Sequence, residues 1–170
     1  KDSTRPAFDV VLQAESGFMY MNGSATSGPV KMPVALIDVL AAHHLKEAIL
    51  VALLEKSQSG KGKIVHVSLY EAALASLVNQ ANNWLMGGHI PQPMGTQHPN
   101  IAPYGEIVTT IDNKELILAI GTDHQFENFS KIISLDISIV KKFKTNPKRV
   151  KKRIELISIL KEKIKSISSQ

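Results

Sequence analysis

Cysteine is absent from the chain. Disulfides, thiolate nucleophiles and cysteine-ligated zinc are therefore excluded, and nothing points to an oxidising compartment. Long apolar runs are missing as well: the longest, residues 48–54, falls far short of the roughly 20 residues a membrane-spanning helix needs. The expectation is a chain that neither spans nor binds a membrane, placed in the cytoplasm or, in a eukaryote, the mitochondrial matrix. No two histidines stand at the HxxxH or HExxH spacing, and the adjacent His43 and His44 would diverge by about 100° on a helix. No metal is expected. A phosphate loop is missing too, because Gly60-Lys61-Gly62-Lys63 follows a helical pattern and precedes a strand-like one, the reverse of the order such a loop needs. There is no internal repeat, no initiator methionine and no charged-then-apolar leader, and the chain reads as a fragment.

What is present can fold. With 170 residues, 44% of them hydrophobic, the chain can bury the core of one domain or of a main domain with a small satellite. The net charge of +5 conceals an asymmetry: 11 lysines and arginines from Lys141 onward face only Glu155 and Glu162, while the first 140 residues are net acidic. A basic segment can meet nucleic acid or an anionic surface. No aromatic side chain interleaves with the lysines after Phe143, so a solvated helix face is the reading adopted and nucleic acid is not an expected partner.

From Pro33 to Gln58 nearly every position suits a helix, with apolar residues all round it, which predicts a helix buried on most sides. Glycines at 60 and 62 stop it, and Ile64-Val65-His66-Val67 reads as a short strand. Ser68 and Glu71 have capping-box spacing, opening a second helix that runs to about Met86. Residues 88–105 lack any period and read as a linker or functional loop. Residues 106–111 and 115–120 flank Asp112-Asn113-Lys114 as a hairpin, Thr122 caps a third helix through Ile133, and Asn146-Pro147 opens a last one. On that last helix Val150, Ile154, Ile157, Leu160 and Ile164 are expected to share a face. The fold class expected is α/β: residues 1–86 as part of a helix-rich, partly Rossmann-like large domain, 87–105 as the linker, and 106–170 as a small α+β domain.

Asp38 is the candidate for chemistry. It stands in "MPVALIDVLAA", residues 32–42, with apolar neighbours on both sides. A carboxylate that leaves water must be paired, capped, protonated or used. Near the start of a long helix the backbone N–H groups and the helix dipole favour its ionised form. Such a carboxylate is a competent nucleophile toward an activated acyl group. A plain capping role stands beside that reading.

Four stretches, "RPAFDVVLQAESGFMYMNG" (5–23), "PVALIDVLAAHHLKEAILVALLEKSQSGKGKIVHVSLYEAALA" (33–75), "MGTQHPNIAPYGEI" (94–107) and "GTDHQFENFSKII" (121–133), occur in an order that resembles the family III CoA-transferases. That family includes formyl-CoA and carnitine CoA-transferases and α-methylacyl-CoA racemase. The resemblance implies that Asp38 is the catalytic aspartate of a ping-pong exchange of coenzyme A between small carboxylic acids, through aspartyl anhydrides and an aspartyl-CoA thioester. It also implies that Ala7, Phe8 and Asp9 line the CoA site and that Gly95, His98 and Asn100 belong to a substrate loop. Coenzyme A enters as the acyl-CoA substrate, and the full-length protein is expected to be an interlocked homodimer. Two departures matter. Phe8 stands where racemases of the family carry a histidine, which favours transfer over two-base racemisation. His98-Pro99-Asn100 replaces a glycine run, so the loop need not be mobile. The 170 residues by themselves are expected to bind CoA poorly and not to turn over.

Overall fold

The computed structural model describes residues 6–169. It divides into two compact units between Gly95 and Thr96, and combines helices with one two-stranded sheet.

Unit 1 is helical: α1 (Asp9–Glu15), α2 (Phe18–Met21), α3 (Leu36–Ser59), α4 (Leu69–Ala75) and α5 (Val78–Gly87). α3 ends where expected, at Gly60, whose φ of 71° is the left-handed cap that glycine adopts without a Cβ clash. Its burial is not as expected. Of its 24 residues only Ile37 is buried, because the chain lays α1 and α4 against the helix and leaves Leu50, Val51, Leu53 and Leu54 exposed. Ile37 plugs a small cluster with Leu12 and Ala73.

Residues 64–67 form no strand. A strand exists by pairing, and the one ladder among the described residues lies in unit 2, so this segment has no edge to join. The helix expected from Ser68 to Met86 is instead two. The Ser68 hydroxyl accepts from the Glu71 N–H at 3.3 Å and starts α4. Ser76 then turns its hydroxyl back onto the Ala72 carbonyl at 2.7 Å, and Val78 adopts φ +48°, which a continuous right-handed helix cannot contain.

Unit 2 carries the hairpin β1 (Tyr104–Thr109) and β2 (Glu115–Ala119), then α6 (Asp123–Ile132), α7 (Ile137–Lys142), α8 (Asn146–Lys151) and α9 (Arg153–Ile164). The strands pair antiparallel, with Ile107 opposite Ile117 and a bulge between Tyr104 and Glu106. Asn113 at φ 56° makes the turn, closed by the Thr110 N–H donating to the Lys114 carbonyl at 3.0 Å. α6 begins with a full capping box, the Thr122 hydroxyl accepting from Gln125 N–H while the Gln125 side chain accepts from Thr122 N–H. One face of the hairpin and one of α9 enclose Val108, Leu118, Ile120, Phe126, Phe143, Leu156 and Leu160.

The C-terminal helix departs from expectation in two ways. It breaks at Lys152 into α8 and α9, with Thr145 rather than Asn146 at the N-cap position of α8. The break resets the register, so Ile154 lies 88% exposed while Arg149 and Arg153 turn inward.

Candidate functional site

The start of α3 is held from a distance. Its own N-cap, Ala35, offers no side-chain bond, and Asp38 does not supply one. Asp9 does: its Oδ1 accepts from the Ile37 N–H at 2.7 Å across 28 residues, satisfying one of the helix's orphan donors. The other oxygen, Oδ2, accepts from Gln13 Nε2 at 2.6 Å. Gln13 is wholly buried one turn further along α1. Its Nε2 also donates to the Val34 carbonyl at 3.3 Å, and its Oε1 accepts from the Met32 N–H at 2.9 Å. Asp9 and Gln13 thus fix both the segment entering α3 and its first turn. Gln13 was not legible as part of the site, although its i, i+4 spacing from Asp9 was there to be read.

Asp38 follows Ile37 in that first turn. With Ile37 plugged into the cluster, the next position turns about 100° away, and Asp38 is exposed. Two expectations change here. Among the described residues the carboxylate is exposed rather than sheltered. Nor is it the helix cap, because Asp9 has taken that bond. What remains is an acid near the positive end of a 24-residue helix, on a backbone pinned by buried contacts, and open to an incoming group.

Phe8 stands at the N-cap position of α1, 65% exposed, and Ala7 is exposed beside it. Through Asp9 this segment is joined to the residue preceding Asp38, so unit 1 brings Ala7, Phe8, Asp9 and Asp38 into one neighbourhood. Gly95, the last residue of unit 1, has φ 62° and donates its N–H to the Gly23 carbonyl at 2.9 Å. A cavity of about 340 Å³ opens along Phe18, Met21, Met32, Leu36 and the left-handed Val78. It touches α3 two residues before Asp38.

His98 and Asn100 belong to unit 2. The His98 N–H donates to the Tyr104 carbonyl at 3.0 Å, its ring meets Tyr104 edge-on at 5.6 Å, and its Nδ1 accepts from the Asn100 N–H at 3.1 Å. That bond places the imidazole proton on Nε2. Burial, and then the charge of Arg153, push the His98 pKa below its ordinary value, keeping the ring neutral. Asn146 Nδ2 donates to the Asn100 carbonyl at 2.8 Å. Gly105, φ 81°, lets the loop cross the strand: a Cβ there would stand 1.8 Å from the Thr96 carbonyl oxygen.

The buried arginines correct the reading of the basic segment as a solvated face throughout. The lysines from Lys141 to Lys165 fit that reading, none being buried, whereas Arg149 and Arg153 are 0% and 9% exposed. Arg149 donates to the Ala102 carbonyl at 2.6 Å and to Asp123 Oδ1 at 2.7 Å, with its guanidinium 4.7 Å from the centre of the Phe126 ring. Arginine at two positions in a run otherwise of lysine was the available signal.

A larger cavity, about 610 Å³, lies in unit 2 between α6 and α7, lined by Phe126, Leu135 and Val140. It holds none of the expected site residues, and size alone does not make it the reactive centre. Among the described residues no three potential metal ligands cluster, and no helix is long and apolar enough to cross a membrane.

Comparison with known proteins bears on what this arrangement serves. The model of "CoA-transferase family III" matches residues 1–170. The chain is 36% identical over 154 residues to a succinate–glutarate CoA-transferase of Agrobacterium fabrum, covering 90% of this chain and 38% of that protein. It is 33% identical over 162 residues to the human succinyl-CoA:glutarate CoA-transferase, covering 95% of this chain and 36% of that one. Among solved structures, a CAIB/BAIF family protein from Brucella suis superposes with a TM-score of 0.73 at 32% identity, over 99% of this chain and 44% of that one. The chain therefore spans well under half the length of the relatives it matches.

Proposed function

The chain belongs to the family III CoA-transferases, and from that premise we propose that it carries the nucleophile of an enzyme that moves coenzyme A between small carboxylic acids. One observation carries the proposal: Asp38 is an exposed carboxylate in the first turn of a long helix whose start is locked by Asp9 and Gln13. That is the geometry of a preorganised nucleophile rather than of a cap.

In the proposed cycle an Asp38 oxygen bonds to the acyl carbon of the donor acyl-CoA as the C–S bond breaks, giving a mixed anhydride and CoA thiolate. The thiolate attacks the aspartyl carbonyl, releasing the donor acid and leaving an aspartyl-CoA thioester. The acceptor carboxylate displaces CoA from that thioester, and the returning thiolate attacks the acceptor's acyl carbon, freeing Asp38. No net proton is consumed. Water must be kept from two anhydrides and a thioester, so an exposed Asp38 needs cover from outside these residues. An interlocked homodimer at the full length of the relatives supplies it, and the exposed apolar side of α3 suits that burial. Ala7, Phe8 and Asp9 line the CoA site, and Gly95, His98 and Asn100 belong to the substrate loop. The names of the two relatives make succinate and glutarate the first acids to try. The enzyme works in the cytoplasm, or in the mitochondrial matrix of a eukaryote.

The test uses the enzyme at the full length of its relatives. It is incubated with succinyl-CoA or glutaryl-CoA, reduced with borohydride, digested and weighed peptide by peptide. A mass change confined to the peptide bearing Asp38, lost in Asp38→Asn together with a fall in kcat on the order of 10³ or more, is expected. An unmodified Asp38 peptide in protein that binds CoA and transfers it would overturn the mechanism.

A further inference from the structure

Arg153 is placed at a cost to stability that its surroundings do not recover. It is 9% exposed, its Nη1 has no hydrogen-bond partner, and Glu106, 2% exposed, keeps an unpartnered Oε1. Burial pushes the guanidinium pKa below its ordinary value, and the Glu106 charge opposes that shift. Buried charged groups with unsatisfied atoms are usually no more stable than apolar side chains of the same volume. Arg153 calls for a reason other than stability.

Its remaining bonds supply one. Arg153 Nη2 donates to the His98 carbonyl at 2.6 Å and the Ile101 carbonyl at 3.1 Å, with the Pro99 carbonyl at 3.4 Å. All three acceptors lie within four consecutive residues. The same stretch is closed from within by the Asn100 N–H to His98 Nδ1 bond and secured downstream by Asn146 Oδ1 accepting from the Ala102 N–H at 3.1 Å. All of these bonds come from the single nitrogen Nη2, held at the end of a long, rigid, planar guanidinium that a lysine, with its shorter reach and freely rotating ammonium, does not reproduce.

We propose that Arg153, balanced inside the protein by Glu106, is a positioning residue that clamps the backbone of residues 98–101 into one conformation and so sets the affinity of the enzyme for its acid substrate. This rests on the reading that His98 and Asn100 face that substrate. The loop is then a fixed wall and not a lid, with His98 presenting an uncharged Nε2–H donor to a carboxylate. Discrimination among acids resides in what this wall holds still.

The experiment compares wild type, Arg153→Lys and Glu106→Gln in the full-length enzyme, each checked for folding by circular dichroism. In Arg153→Lys, amide exchange at His98, Asn100 and Ile101 is expected to quicken about tenfold or more while the amides of the buried α9 residues keep their protection. KM for the acceptor acid should rise about tenfold with kcat and the KM for acyl-CoA within about twofold. Glu106→Gln should move the same quantities less. A folded Arg153→Lys with wild-type exchange at those three amides would overturn the clamp. Faster exchange with unchanged KM would overturn its link to the substrate. Absence of CoA transfer in wild type would sink the functional reading, with the exchange arm still deciding the clamp.

Discussion

Among the described residues, unit 2 encloses ten apolar side chains in one continuous cluster, while unit 1, the longer of the two, encloses three in its own. In unit 2 the hairpin and α9 face each other, and Phe126, Phe143, Leu156 and Leu160 are out of water. In unit 1 the longest helix shows Leu50, Leu53 and Leu54 to solvent, each more than half exposed. The proposed nucleophile sits on the poorly covered unit and the loop proposed to be clamped on the well-covered one. The difference separates two ways of making a site rigid. The loop of unit 2 borrows rigidity from a complete core beneath it, whereas Asp38 depends on a few local polar bonds from Asp9 and Gln13 until further layers are added.

The sharpest way to break this comparison is to separate the units. Residues 96–170 expressed alone should melt in a single cooperative transition by calorimetry, and residues 1–95 alone should not. A cooperative transition from the second piece would show that its three-residue cluster suffices. Next in size, Leu156→Ala should destabilise unit 2 by roughly 2–5 kcal/mol, read as a shift in the urea midpoint. Asp9→Ala should cost about 1 kcal/mol and quicken amide exchange at Ile37, whereas Asp9→Asn, which keeps an acceptor oxygen, should cost less.

Acid should then act on unit 2 at two places. His98 has a folded pKa held below 6.5. Its contribution is intact above that value and declines as pH falls toward the lowered one, because protonation also removes the Nδ1 acceptor. Asp112 is held at about 2 against an ordinary 3.8, by the Ser169 hydroxyl first and the Thr110 hydroxyl next. Its contribution is present above 3.8 and lost as pH falls through about 2. Titration by NMR, following the His98 ring and the Asp112 carboxyl carbon, reads both. The smallest effect should come from Leu50→Lys, within about 0.5 kcal/mol in the isolated chain. A large loss there would mean that the outer side of α3 is already packed.

The legible parts of the fold were those whose signals are local. The Thr122 capping box, the Asn113 turn and the Gly60 stop each need only a few neighbouring residues, and each is present. What failed depended on partners. Ile64-Val65-His66-Val67 has the composition of a strand, but composition cannot supply the adjacent edge. α3 has the all-round apolar surface of a core helix without the layers to bury it. The short α7, started by Asp136 accepting from the Ser138 N–H at 2.7 Å, has too few residues for a period to show. The importance of the Asp38 segment could be argued from the chain alone, but its geometry could not. That Asp9 rather than Asp38 caps the helix is a contact over 28 residues, which no local pattern encodes.

Arg153 reaches the loop only through main-chain oxygens at His98, Pro99 and Ile101. Every residue type offers the same carbonyl. Side chains along that stretch can therefore be exchanged over evolutionary time without dismantling its frame, provided the backbone path survives. On the proposed reading, in which this loop faces the acid, a scaffold anchored in this way is open to retuning by single substitutions, and the arginine that permits such drift need not change with them.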